Sequence, residues 1–163
     1  QQQINQKLWY IWLQPIAFVI YMFAMLAETG RVPFDVQEAE AELVTGFTVE
    51  YGGIKFGLFP LVEWYVEVLS LSAIAVVLFL GGWSPINIPF LGFVDPLFFL
   101  GPLSPFVWFV LKVAMLFLFV LWLHWTLPRY RIDQITETAW KVMLPLTFVN
   151  LVLTAVLAPI VWR

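Results

Sequence analysis

The chain contains no cysteine, which removes disulfides, thiolate nucleophiles and cysteine-ligated iron–sulfur clusters from anything it does by itself. Histidine occurs once, at His124, so a paired-histidine cofactor site is excluded too. No Walker A loop, dinucleotide fingerprint or serine-triad motif is present, and no redox centre or hydrolytic site is expected within the chain. Charge is scarce: 12% of residues are Asp, Glu, Lys or Arg, the net charge is −3, and no basic face exists to hold nucleic acid. The opening residues QQQINQKLW lack a basic n-region and a small-residue cleavage site. The apolar run after them is therefore expected to be a membrane span from within a longer protein, not a signal peptide.

What remains is strongly apolar. Hydrophobic residues make up 62% of the chain and aromatics 18%, with a mean hydropathy of +0.89, which identifies an integral membrane protein. A hydrocarbon core about 30 Å thick needs about 20 helical residues. Four windows meet this requirement, at about 8–27, 56–80, 106–127 and 139–162, and predict an all-α membrane protein forming one transmembrane region over 1–163. Gln14 and Pro15 in the first window, and Pro145, Asn150 and Pro159 in the fourth, predict kinks whose freed carbonyls are satisfied by neighbouring helices. Arg31 and Lys55 flank the first loop, and Arg129, Arg131 and Lys141 surround the third, whereas residues 81–105 contain no basic residue. The positive-inside rule then puts the first and third loops in the cytoplasm, with Lys7 and Arg163 as counter-indications. The middle loop holds four Gly and five Pro, too many for a regular helix, among aromatics suited to the headgroup belt.

Charge concentrates in one place. Residues 28–55 hold six of the 11 acidic residues and two of the eight basic ones. Glu38, Glu40 and Glu42 stand two apart, and like charges so close repel one another, which suits a segment that handles protons or cations. Asp35 as N-cap with Glu38 three residues on predicts a short acidic loop helix from Val36 to about Thr45. Glu38 and Glu42 would share one face and Glu40 the other. A solvated acidic helix is the alternative reading. Carboxylates on opposite faces with no nearby His do not predict a metal site.

Other charges fall on the spans. Glu28 closes the first, three residues before Arg31, and the two could form a boundary ion pair. Glu63 and Glu67 lie four apart inside the second, where a carboxylate is expected to be protonated, hydrated, paired or at headgroup level. Lys112 in the third is expected to snorkel to the interface, and His124 to serve as an interface residue beside Trp122 and Trp125. The segment PRYRIDQ, 128–134, could anchor headgroups or dock a soluble partner.

At this level of detail the residues are recognisable. Glu28-Thr29-Gly30-Arg31-Val32-Pro33-Phe34-Asp35, then Glu38-Ala39-Glu40-Ala41-Glu42-Leu43-Val44 with Gly46, Glu50-Tyr51 and Lys55-Phe56, closely resembles the signature of the quinone-chamber membrane subunits of bacterial and mitochondrial respiratory complex I. Leu80-Gly81-Gly82-Trp83, Arg129-Tyr130-Arg131, Asp133-Gln134 and Trp140-Lys141 through Pro145 extend the resemblance over almost the whole chain. Gly30, Gln37, Ala41 and Phe47 depart from the usual pattern without removing a charge. The resemblance implies the C-terminal half of a subunit with about eight spans, in a proton-pumping NADH:quinone oxidoreductase of a bacterial inner (plasma) or mitochondrial inner membrane. It implies quinone as substrate, with FMN and iron–sulfur clusters in partner subunits and no cofactor on this chain. The implied partners are peripheral iron–sulfur and quinone-site subunits, antiporter-like membrane subunits, and lipid. Arg31, Asp35, Glu38, Glu40, Glu42 and Glu50 would form the quinone-cavity coupling loop, and Glu28, Glu63 and Glu67 a proton path. The alternatives are the related membrane subunit of an energy-converting hydrogenase or formate hydrogenlyase, or a passive transport or scaffold protein.

Overall fold

The computed structural model of the chain describes residues 9–30, 33–34, 53–88, 92–94 and 98–161. The first apolar run is broken at the expected place. Helix α1, Tyr10–Leu13, ends at Gln14 (φ −135°, ψ 61°), and α2, Pro15–Glu28, starts on the proline. Pro15 has no N–H to give, and its ring drives the preceding residue out of helical geometry. The Gln14 amide donates to Thr154 Oγ1 at 3.4 Å, so the break is bridged by the last helix.

Helix α3 runs over Ile54–Phe79 for 26 residues, about 39 Å at the standard rise. Helix α4, Ser104–Thr126, follows the middle connection. That connection is the exception to the all-α architecture. Ile86–Ile88 (β1) pairs antiparallel with Gly92–Val94 (β2), with Asn87 opposite Phe93, and a kinked 3₁₀ segment, Phe98–Leu103, leads into α4. The Gly and Pro content excludes a regular helix here, as expected, but the β-branched Ile86 and Ile88 still find a short ladder partner.

The last helical stretch begins earlier than hydropathy alone suggests. Helix α5, Ile132–Thr138, passes through a π-turn, Ala139–Met143, into α6, Leu144–Val161. The π-turn sits directly before Pro145, which cannot donate to the carbonyl four residues back and whose ring pushes that turn open. The kink expected from Pro145 is thus a local widening of the helix.

Helices α2, α3 and α4 share the core. Met22, Met25 and Leu26 meet Val68 and Val120, and a second cluster joins Ala75 and Val76 to Leu116. Phe18 and Tyr21 pack against both, and the Tyr21 hydroxyl donates to Leu71 O at 2.9 Å. Large apolar side chains also face outward: Phe148, Val149, Leu151, Val152 and Val156 of α6 are exposed. A surface of this kind fits lipid rather than water as the solvent. Gly101–Thr126 and Ile132–Val156 are each long and apolar enough to cross a membrane, and Pro15–Glu28 and Trp64–Phe79 are shorter apolar helices.

Candidate functional site

The acidic signature begins where α2 ends. Glu28 is exposed in the last turn, the helix end where the macrodipole disfavours a negative charge. Helix stability does not account for a carboxylate there. Thr29 beside it is buried and spends its hydroxyl on the helix, donating to Met25 O at 3.1 Å and Leu26 O at 3.4 Å. Gly30 (φ 55°) then turns the chain in a conformation that side-chain-bearing residues rarely adopt.

The turn delivers Pro33 and Phe34 to the third connection. The Tyr130 N–H donates to Pro33 O at 3.0 Å. The Phe34 ring lies between Phe23, 6.1 Å away, and Tyr130, 6.4 Å away, both edge-on. Phe34 also packs against the core cluster of α2, α3 and α4. The two connections expected on one side of a membrane therefore meet, through a backbone hydrogen bond and an aromatic clamp. Residues 128–134 are exposed throughout, Tyr130 contacting the first loop while Ile132 starts α5, whose entry is capped by the Arg131 N–H donating to Gln134 Oε1 at 3.3 Å. Lys141 pairs with Glu137 one turn earlier.

On α3, Glu67 is half-buried beside Val68, and Glu63 lies one turn before it on the same helix. Val68, Phe117, Val120, Leu121 and His124 line a small cavity between α3 and α4. His124 is half-buried and stands edge-on to Trp125 at 5.6 Å. Arg31, Asp35, Glu38, Glu40, Glu42 and Glu50, with the predicted loop helix from Val36 to about Thr45, lie outside the described residues, as does the Glu63 side chain. Among the described residues no group of His, Asp or Glu is gathered closely enough to hold a metal ion.

At the other end of the helices the structure corrects the snorkelling expectation. Lys112 is 5% exposed and turns into the protein. Its ammonium donates to Leu80 O at 2.7 Å, Gly82 O at 3.1 Å and Ser84 O at 2.6 Å, and sits 4.4 Å from the centre of the Trp9 ring. The Trp9 indole N–H donates to Ser84 Oγ at 3.1 Å. Sequence reading missed this cluster because its members are spread over a hundred residues. The signal that could have found it is the Gly81-Gly82 doublet at the end of an apolar run.

Relatives of this chain are numerous. It is 58% identical over 156 residues to the NADH-quinone oxidoreductase H subunit of Aquifex aeolicus, covering 96% of this chain and 43% of that protein. It is 47% identical over 151 residues to the protein of the same name from Dehalococcoides mccartyi, covering 92% and 38%, and 47% identical over 153 residues to that of Geobacillus thermodenitrificans, covering 94% and 42%. The chain thus spans about two fifths of the length of the curated relatives it matches. The sequence model described as NADH dehydrogenase matches residues 1–155, and with that match over nearly its full length the chain belongs to the NADH dehydrogenase family.

Proposed function

We propose that this chain is part of the membrane subunit of a proton-translocating NADH:quinone oxidoreductase, where it lines part of the quinone cavity and couples quinone reduction to proton movement. The observation that carries this reading is the 58% identity to a protein named as the H subunit of NADH-quinone oxidoreductase over 96% of the chain. The geometry supports it. The signature that opens at Glu28 is folded back onto the third connection by the Pro33–Tyr130 hydrogen bond, and the helix that follows carries Glu63 and Glu67. In this reading the chain crosses the membrane four times, in a bacterial inner or mitochondrial inner membrane, with the loops at 28–55 and 128–131 facing the cytoplasm or matrix.

Arg31, Asp35, Glu38, Glu40, Glu42 and Glu50 form the loop that feels charge at the quinone, and Glu28, Glu63 and Glu67 carry the response into the membrane. A change of charge at a reduction site shifts the protonation of crowded carboxylates beside it, which is how a loop without a cofactor takes part in coupling. Electrons are delivered by partners: FMN and iron–sulfur clusters belong to other subunits, and antiporter-like subunits receive the signal. The test is made on the intact complex purified in mild detergent. Glu38→Gln and Glu42→Gln are expected to slow quinone reduction while NADH oxidation by an artificial acceptor continues at the unmodified rate. Equal loss of both activities contradicts a coupling role and assigns these residues to assembly.

A further inference from the structure

We infer that Lys112 is a positioning residue for the acid-bearing helix: its ammonium pins the C-terminal turn of α3 to α4 and so sets the height of Glu67 on α3 relative to α4. The consequence for turnover rests on the function proposed above; the pinning itself does not.

The contacts of Lys112 use all it has to give. An ammonium carries three N–H donors, and here three carbonyl oxygens accept them at 2.6–3.1 Å while the Trp9 ring face closes the remaining side. Its partners among the described residues are backbone carbonyls, not carboxylates. Those carbonyls follow directly on the end of α3, where the partial negative charge of a helix gathers. The turn is shaped to aim them inward. Gly81 (φ 71°) and Gly82 (φ 58°) are both left-handed, and the Gly82 N–H returns to Val76 O at 2.9 Å. A Cβ on Gly81 would lie 2.5 Å from Ser84 Oγ and 2.8 Å from Trp9 Cδ1, so the cage closes only around glycine.

The pin adds directional bonds to an interface that is otherwise largely apolar. Val68 packs with Val120, Ala75 and Val76 with Leu116, and the Tyr65 and Phe117 rings lie 6.0 Å apart, while a lipid tail is as apolar as the aliphatic members of this set. Ser72, fully buried between these layers on α3, has no side-chain hydrogen-bond partner among the described residues, so it adds no polar contact across the interface. The directional bond from Lys112 on α4 to Leu80 at the end of α3 gives the axial register a fixed point. Because α3 is one unbroken helix, fixing Leu80 fixes Glu67, about 20 Å away at the standard rise.

The test uses the intact complex. The chain has no cysteine of its own, so Val68→Cys with Val120→Cys reports register directly through cross-linking by copper phenanthroline. With Lys112 present this pair is expected to cross-link. In Lys112→Met the yield should fall and reappear when the second cysteine is moved one turn, to Leu116 or His124. Coupled quinone reduction should drop about tenfold or more, through kcat and not KM, while NADH oxidation by an artificial acceptor per assembled complex stays unchanged, since a misplacement of about 1 Å at a reacting group has such effects. Supplying propylammonium to Lys112→Ala should restore part of the Val68–Val120 cross-link, and tetramethylammonium, which has no N–H, should not. If Lys112→Met does not assemble, Lys112→Arg is measured instead, because a planar guanidinium cannot satisfy three oxygens converging on one nitrogen and must shift the cross-link while keeping the charge. An unshifted cross-link in whichever variant assembles overturns the pinning. A shifted cross-link with native coupled turnover leaves the pin standing and contradicts the proposed role of α3 in coupling.

Discussion

Phe34 links the acidic signature to the rest of the molecule more than any charge in the described part of it. Its ring contacts Phe23 and Tyr130 and the core cluster beyond, while the adjacent Pro33 carbonyl accepts the Tyr130 N–H. Phe34→Ala removes a half-buried ring and is predicted to cost about 2 kcal/mol, below the range for fully buried phenylalanine. The loss should appear as faster proteolysis in residues 31–52 and a lower Tm of the complex. Tyr130→Phe keeps the ring and the backbone N–H and should match the unmodified protein in both measurements; a comparable loss would show that the hydroxyl holds the loop instead. None of this is readable from sequence. The sequence pattern marks Pro33-Phe34-Asp35 as a helix entry and 128–134 as a charged surface, and periodicity carries no information about which two loops touch. Lys112 shows the same limit. A lysine near the end of a span reads as snorkelling, and only the fold places three carbonyls from residues 80–84 within its reach.

At the scale of elements, hydropathy locates the helices well because length and apolarity are local properties. Pro15 and Pro145 mark real irregularities for a local reason, the missing N–H. The start of the last helical stretch escapes hydropathy because Ile132–Thr138 is polar enough to resemble a loop, yet its threonines return their hydroxyls to carbonyls four residues back. The β1–β2 pair escapes because three-residue strands are too short to show an alternating pattern. The end of α3 offers the sharpest element-level prediction. Gly81→Ala introduces a methyl group into a site already closed by Ser84 and Trp9, and forces a side chain into φ 71°. It should destabilise by roughly 1–3 kcal/mol, as strained backbone positions do. Gly30→Ala, also at positive φ but with open space around it, should cost less. Thermal unfolding of the two variants checks the order, and a larger loss at Gly30 would contradict the account of the cage.

For the whole molecule, the meeting of Pro33 with Tyr130 at one end and of Trp9, Ser84 and Lys112 at the other fits the alternating spans proposed above. Single cysteines at Glu40 and Gln134 should accordingly be labelled by an impermeant maleimide from the same side of sealed vesicles, and labelling from opposite sides would refute the four-span arrangement. The central claim is that carboxylates of this chain transmit charge from quinone reduction to proton movement. Its most direct measurement is the number of protons translocated per electron in vesicles containing assembled complex with Gln at Glu28, Glu63 or Glu67 in turn. The account predicts a lower ratio or stalled coupled turnover for at least one of the three, with NADH oxidation by an artificial acceptor unchanged. An unmodified ratio at all three positions would contradict it and leave these residues as structural charges.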